Sequence, residues 1–141
     1  MIYLLQIFYF YFFQNLLGCG LSVENKLLLD TDYTILKIFK HNTEYFTQGL
    51  IFHEGFLYES TGIKGKSIIS KTIIDNNSLK EVKKIKLENK YFGEGITIFN
   101  DQIIQITWKV GKILVYNLKL ELLSDFIFET TTGEGWGITH N

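Results

Sequence analysis

Short apolar runs alternate with polar, glycine-containing turns along most of this chain. Runs of five to nine residues rich in Ile, Leu, Phe and Tyr, separated by Gly, Asn and Asp, are typical of β-strands joined by tight turns. After residue 23 no stretch has the period of an amphipathic helix. The pattern predicts an all-β domain with strands at 49–53, 56–61, 67–74, 79–87, 95–99, 102–108, 112–118 and 121–129.

These eight strands form two copies of one repeat. Residues 36–69 align without a gap onto residues 82–115, and the aligned glycines Gly49, Gly95 and Gly137 stand 46 and then 42 residues apart. Four short strands at that period are typical of a β-propeller blade. Residues 33–40 resemble the fourth strand of the repeat, so we expect them to supply the outer strand of another blade.

One position of the repeat changes its chemistry from copy to copy. The residue before the repeated glycine is Gln48, then Glu94, then Trp136. We expect the three to occupy the same place in successive blades and to perform different tasks at a shared site.

The N-terminal segment differs from the rest of the chain. Residues 2–21 are the most apolar stretch, and residues 1–23 fit a cleaved secretory signal or a membrane anchor, with a buried strand as a third interpretation. The run 16–19 also resembles a lipoprotein cleavage box with Cys19 as the lipidated residue. These features predict a secretory or extracytoplasmic destination, with membrane attachment through residues 2–21 as one alternative.

Residues 24–141 then form the folded domain. They accommodate between two and three repeats, whereas closed propellers have four to eight blades. We therefore expect the N-terminal part of a longer propeller, and a ring closed by a dimer is the alternative.

Charge, cysteine content and histidine spacing limit the ligands that the chain is expected to bind. The 14 basic and 15 acidic residues give a formal net charge of −1, which offers no reason to expect a nucleic-acid partner. Cys19 is the only cysteine, and His41, His53 and His140 lack the spacing of a ligand set, so we expect no metal site.

Five motifs in order resemble those of the glutamine cyclotransferase family, the plant-type glutaminyl-peptide cyclotransferases. The motifs are Phe46-Thr-Gln-Gly-Leu50, Tyr58-Glu-Ser-Thr-Gly62 with Gly65 and Ser67, Phe92-Gly-Glu-Gly-Ile-Thr97, Thr107-Trp-Lys109 and Gly135-Trp-Gly-Ile-Thr139. The resemblance implies a five-bladed propeller that converts the N-terminal glutamine of a peptide or protein to pyroglutamate and releases ammonia. It also implies that no metal and no cofactor take part.

The implied reaction suggests roles for two of the variable residues. A proton must leave the substrate's α-amine and another must reach the departing nitrogen, and one carboxyl group can serve both steps, for which Glu94 is the candidate. Trp108 and Trp136 nearby would desolvate this carboxyl and raise its pKa. Gln48 could hold the amine or carboxamide of the substrate. The structural alternatives are a carboxylate in a surface turn for Glu94 and a turn-stabilising amide for Gln48.

Trp108, Trp136, Phe46 and Phe92 could form an aromatic wall around the glutamine side chain. For the two phenylalanines, which recur at the blade period, core packing is the alternative. Pocket residues that the family draws from later blades have no counterpart in this sequence. The second function hypothesis is therefore a catalytically incomplete propeller that binds peptides or another protein.

Overall fold

A computed structural model of the chain describes residues 34–76 and 78–141. The leader predicted for residues 1–23, including Cys19 and the apolar stretch 2–21, lies outside the described residues and stays a prediction. Within the described ranges, no helix is long and apolar enough to cross a membrane.

Eight strands make up the regular structure of the described residues. They are β1 (Thr47–His53), β2 (Phe56–Thr61), β3 (Ile68–Asp75), β4 (Ser78–Lys86), β5 (Gly93–Phe99), β6 (Gln102–Thr107), β7 (Lys112–Asn117) and β8 (Leu122–Ile127). Every predicted strand is present, and its ends lie within two residues of the predicted ones.

The strands form two four-stranded sheets, with the orders β1-β2-β3-β4 and β5-β6-β7-β8. All neighbours within each sheet are antiparallel. Each sheet is thus a simple meander of the kind that forms one propeller blade. The prediction of an all-β fold built from four-stranded blades is confirmed.

Equivalent turns join the first two strands of each blade. Glu54 (φ 48°) and Gly55 (φ 82°) connect β1 to β2, and Asn100 (φ 49°) and Asp101 (φ 56°) connect β5 to β6. Two-residue loops with both φ values positive match the right-handed twist of antiparallel strands. The turn chemistry therefore sets the same register in both blades, His53 opposite Phe56 and Phe99 opposite Gln102.

The outer strand predicted at residues 33–40 is not found. Residues 34–40 form no strand, and Ile35, Leu36 and Ile38 are exposed by 60%, 91% and 70%. Both described blades already have a fourth strand, β4 and β8, so this segment belongs to neither sheet. Its place in another blade stays a prediction.

The apolar core lies between the two sheets. Its buried members are Tyr58, Ile69, Leu87, Tyr91, Ile96, Ile98, Ile103, Leu114, Tyr116 and Leu120. Tyr58 of the first blade donates its hydroxyl hydrogen to the Leu118 carbonyl oxygen of the second at 3.2 Å, so the polar end of a core side chain is satisfied across the interface. This packing fixes β1 against β5 and thereby positions the candidate site.

Candidate active site

The repeated glycines stack the blades backbone to backbone. A Cβ added to Gly49 would lie 2.7 Å from the amide nitrogen of Ile96. One added to Gly95 would lie 2.8 Å from the carbonyl oxygen of Trp136, which accepts a hydrogen bond from the Gly95 amide at 2.8 Å. Only glycine permits such close approach of main chains. As a result Gln48, Glu94 and Trp136 each precede a residue of one glycine stack.

A second pair of glycines packs in the opposite direction. A Cβ on Gly93 would lie 2.7 Å from the carbonyl oxygen of Thr61, and one on Gly135 would lie 2.8 Å from that of Thr107. Thr61 and Thr107 are equivalent positions of the repeat. Glu94 is therefore flanked by two glycines, one packed against the preceding blade and one against the segment that follows.

A β-bulge occurs at the same place in both blades. In β1 the register passes from the Thr47–Thr61 pair to the Gly49–Ser60 pair, which leaves Gln48 as the extra residue. In β5 it passes from Gly93–Thr107 to Ile96–Gln105, again with one residue in excess. Bulges change the direction of side chains and are frequent beside active sites.

Glu94 is a buried carboxyl group, only 3% exposed. Within the described part of the chain, no hydrogen bond reaches its side chain. Burial raises the pKa of Glu94 from 4.5 to about 7. At neutral pH both the acid and the carboxylate are populated, so this group can accept a proton and return it.

The four aromatic residues predicted for the site form one continuous row. Ring centroids are 6.2 Å apart for Phe46 and Phe92, 5.6 Å for Phe92 and Trp108, and 6.0 Å for Trp108 and Trp136. Phe46 and Trp136, at the two ends, are 48% and 55% exposed, while the middle two are half-buried. Neither phenylalanine belongs to the core cluster between the sheets, so the row is a surface feature next to the glycine stack.

The structure explains why tryptophan appears in one repeat and glycine in the other. The Gly62 amide donates to the Phe46 carbonyl at 2.8 Å, and the Trp108 amide donates to the Phe92 carbonyl at 3.0 Å, so Gly62 and Trp108 are equivalent. A Cβ on Gly62 would lie 2.3 Å from the Phe92 ring. The Phe92 ring occupies the space that a side chain at position 62 would need. The first repeat therefore has glycine there, and only the second repeat adds a tryptophan, Trp108, to the row.

Trp108 carries an unused donor. Its indole Nε1 is buried and has no hydrogen-bond partner among the residues described. The ammonium group of Lys109 lies 4.2 Å from the centre of the Trp108 ring and pairs with Glu134 at 3.4 Å. A buried N–H without a partner is costly, so an acceptor from a bound molecule would be favoured there.

Two buried polar groupings escaped the sequence analysis. Glu59, which follows three apolar or aromatic residues of β2 and is buried, contacts His41 and Thr47. Its repeat equivalent Gln105 donates to Ser60 at 2.7 Å and accepts from Tyr116 at 3.2 Å. A charged residue within a predicted strand was the signal available, but its partners are twelve and eighteen residues away in sequence.

The three histidines have separate surroundings. His41 pairs with Glu59, His53 lies 3.9 Å from Asp101, and the His140 Nδ1 is 2.8 Å from the Thr97 hydroxyl. Across the described ranges, no group of three or more His, Cys, Asp or Glu side chains is arranged to hold a metal ion.

Comparisons with known proteins agree on one family. A family model described as glutamine cyclotransferase matches residues 17–141. A curated protein of Arabidopsis thaliana named glutaminyl-peptide cyclotransferase is 30% identical over 122 residues, which are 86% of this chain and 36% of that protein. The crystal structure of Myxococcus xanthus glutaminyl cyclase superposes with a TM-score of 0.58 at 28% identity, over 70% of this chain and 40% of that one. The chain thus spans little more than a third of the curated relative.

Proposed function

The chain belongs to the glutamine cyclotransferase family, and on this premise we propose that it carries the acid/base part of a glutaminyl-peptide cyclotransferase site. The substrate is a peptide or protein with an N-terminal glutamine, and the products are the pyroglutamyl peptide and ammonia. The observation that carries the proposal is Glu94, a buried carboxyl group whose pKa is raised to about 7 by burial. Its strand, β5, directly follows Phe92 of the aromatic row.

The chemistry requires one proton carrier. The substrate's neutral α-amine nitrogen attacks the side-chain carboxamide carbon, so a carbon–nitrogen bond forms and the five-membered lactam closes. The Glu94 carboxylate takes the proton that the amine loses. It then gives this proton to the carboxamide nitrogen, as the original bond between that nitrogen and the carboxamide carbon breaks. Ammonia leaves and Glu94 is again a carboxylate, so the cycle needs no other reactant.

A carboxyl pKa near 7 suits both halves of this cycle. A carboxyl group with the ordinary pKa of 4.5 would be a weak base towards the attacking amine, and almost none of it would be protonated at neutral pH. Desolvation brings the pKa of Glu94 close to that of a peptide α-amine, which is about 8 in water. The energy needed to pass the proton in either direction is then small.

Gln48 is the proposed holder of the reacting groups. It occupies the bulge of β1 that corresponds to the Glu94 bulge of β5, and it is half-buried. Its amide offers both a donor and an acceptor, and it does not titrate, so it does not compete for the transferred proton.

The aromatic row is proposed to pack the glutamine side chain. Phe46, Phe92, Trp108 and Trp136 present an apolar surface that excludes water from the reacting carboxamide. The unpartnered Nε1–H of Trp108 would donate to an oxygen of the substrate.

Mass spectrometry of a Gln-initiated peptide tests the proposal. The parent protein should convert the peptide with loss of one ammonia, and Glu94→Gln should be slower by roughly 10²- to 10⁴-fold, the usual contribution of a general acid/base. Glu88→Gln is the matched control, because Glu88 is exposed and pairs only with Lys90 among the described residues. Equal rates for the parent and Glu94→Gln would refute the mechanism.

The same experiment separates the second hypothesis. A peptide-binding propeller without catalysis would bind the Gln-initiated peptide, as measured by calorimetry, yet release no ammonia with parent or variant. If the peptide affinity were also unchanged in Trp108→Ala, the peptide would bind elsewhere on the protein.

The destination of the protein is a further proposal that rests on sequence alone. Residues 1–23 would direct the chain to the secretory pathway or anchor it in a membrane. N-terminal sequencing of the protein purified from its natural source distinguishes cleavage near residue 23 from a retained anchor.

A further inference from the structure

We propose that Glu59 is a positioning residue that, through Thr47, fixes the bulge from which Gln48 reaches the substrate. The proposal goes beyond the family reaction and rests on the proposed function only for the contact of Gln48 with substrate. Its structural part concerns three side chains: Glu59, Thr47 and His41.

Glu59 is held by donors on two sides. Its carboxyl Oε1 accepts a hydrogen bond from the Thr47 hydroxyl at 2.5 Å, and the His41 Nε2 lies 2.9 Å and 3.1 Å from the two carboxyl oxygens. Glu59 itself is only 6% exposed. A buried carboxylate that is bonded on both oxygens is held in one orientation, because any rotation would leave an acceptor without a partner.

Thr47 transmits this order to Gln48. It is the residue immediately before Gln48 and pairs with Thr61 at the point where the β1 register breaks. Gln48 is the extra residue of the bulge and has no Cα partner in β2. Its direction therefore depends on how its neighbours are held, with Thr47 fastened to Glu59 on one side and Gly49 pressed against Ile96 on the other.

In the second blade a different side chain lies beside the equivalent bulge. The repeat equivalent of Glu59 is Gln105, and the equivalent of Thr47 is Gly93. The Gln105 Nε2 would be 2.9 Å from a Cβ on Gly93, so the amide lies directly against the bulge that carries Glu94. Each bulge thus rests on one buried polar side chain from the neighbouring strand.

The choice of acid or amide follows from the partners. Thr47 donates its hydroxyl hydrogen to Glu59, and the ring nitrogen of His41 can donate as well, so a group that only accepts fits this place. Gln105 donates to Ser60 and accepts from Tyr116, so it uses both the donor and the acceptor of its amide. The difference between Glu59 and Gln105 therefore indicates that each side chain is matched to its bulge.

The test combines kinetics with a readout that does not need turnover. Thr47→Val removes the hydroxyl that reaches Glu59 and keeps the branched shape, Thr47→Ser keeps the hydroxyl, and Thr72→Val is the matched control because no described group hydrogen-bonds to the Thr72 side chain. The Gln48 side-chain amide resonances, assigned with Gln48→Ala, are recorded for each variant by NMR. Steady-state kinetics with a Gln-initiated peptide supply KM and kcat.

We expect Thr47→Val to shift or broaden the Gln48 amide resonances. We also expect KM to rise roughly tenfold, which corresponds to the loss of about one hydrogen bond, and kcat to change less than twofold. Thr47→Ser should restore both values and Thr72→Val should change neither. In the double variant Thr47→Val with Gln48→Ala, KM should equal that of Gln48→Ala alone, because the two residues act in series.

Gln48 amide resonances that are the same in Thr47→Val and the parent would overturn the inference. So would KM effects of Thr47→Val and Gln48→Ala that multiply in the double variant. Failure of the proposed function is separate: the parent would then release no ammonia, and the NMR comparison would still decide whether Thr47 orients Gln48.

Discussion

The strands β1 and β5 begin from the same pattern and reach different environments. Both have seven residues, a bulge near the start, a stacked glycine and a two-residue turn at the end. Yet the first six residues of β5 are buried, whereas no residue of β1 is, and Leu50 and Phe52 are exposed by 48% and 59%.

The difference comes from neighbours rather than from the strands themselves. β5 lies between β1 and residues 136–138, with Gly49 against one side of its backbone and the Trp136 carbonyl against the other. In the described residues, no strand covers the other face of β1. A carboxyl group at the second position of β5 is therefore desolvated, and an amide at the second position of β1 stays half-exposed.

Replacing a stacked glycine by a larger residue should have the largest effect on stability. In Gly95→Ala the new Cβ meets the main-chain atoms Trp136 O at 2.8 Å and Ile138 N at 2.9 Å, which cannot move aside as a side-chain end could. We expect the free energy of unfolding to fall by about 3 kcal/mol, the upper range for overpacking. Chemical denaturation measures it.

Gly137→Ala is the control for this prediction. A Cβ at Gly137 would have no described atom within 4 Å, so the free energy of unfolding should change by less than about 0.5 kcal/mol. If both alanine variants are equally stable, the two segments are not stacked as described, and the burial of Glu94 loses its explanation.

The pH dependence of stability should distinguish Glu94 from Gln48. Burial raises the folded-state pKa of Glu94 to about 7 from 4.5, so the folded protein binds more protons than the unfolded one between those values. The stability contributed by the neutral acid is complete below pH 4.5 and is lost as pH rises through 7. At 1.36 kcal/mol for each pKa unit, the free energy of unfolding should fall by up to about 3 kcal/mol over this range. Denaturation at pH 5 and pH 8 should show that loss in the parent.

Two variants sharpen this test. Glu94→Gln should lose most of the difference between pH 5 and pH 8, because no charge is then buried at position 94. In Gln48→Glu the new carboxyl stands in the half-buried bulge of β1, and its pKa should be raised less than that of Glu94. Carboxyl ¹³C titration of Gln48→Glu would contradict the comparison if the two pKa values were equal.

The sequence predicted local structure well because the signals are local. Strand ends follow from turn residues such as Gly55 and Asp101, and the register follows from two-residue turns, so both blades could be placed within two residues. Residues 34–40 form no strand, because strand formation requires the edge of another strand, which a repeat pattern does not supply. The blade predicted to take residues 33–40 is not among the two that the structure describes, so that strand stays a prediction.

The site was predicted only in part. The repeat marked Gln48 and Glu94, and Trp108 was included in the predicted aromatic wall, but the reason why its repeat equivalent is Gly62 was not predicted. The cause, the Phe92 ring above Gly62, is a tertiary contact that no spacing reveals. Glu59 was missed because its two donors come from residues that only the fold brings together.

Breaking the polar support of the second blade should have an intermediate effect. Gln105→Leu leaves the hydroxyls of Ser60 and Tyr116 buried without their partner, and burial already raises the pKa of Tyr116, so its hydroxyl keeps its proton. We expect the free energy of unfolding to fall by about 2 kcal/mol. Thermal or chemical denaturation measures it, and Gln102→Leu, at the exposed start of the same strand, should stay within about 0.5 kcal/mol of the parent.

A stability loss in Gln105→Leu no larger than that in Gln102→Leu would show that the polar contact between the blades adds nothing to their apolar packing. The support beneath Gly93 would then come from the main chain and from the Ser67 hydroxyl, which accepts a hydrogen bond from the Gly93 amide at 3.2 Å.

The smallest predicted difference separates two equivalent threonines. The Thr107 hydroxyl donates to the Lys112 carbonyl at 2.9 Å and accepts from the Lys112 amide at 3.1 Å. Among the residues described, the Thr61 hydroxyl has one partner, the Ile68 amide, from which it accepts at 3.0 Å. Valine keeps the branched shape but lacks the hydroxyl, so Thr107→Val should cost about 1.5 kcal/mol of unfolding free energy and Thr61→Val about 1 kcal/mol. Paired denaturation curves measure the difference. A reversed order would mean that the hairpin of the first blade depends more on its threonine, and that burial of β5 already holds the second hairpin in place.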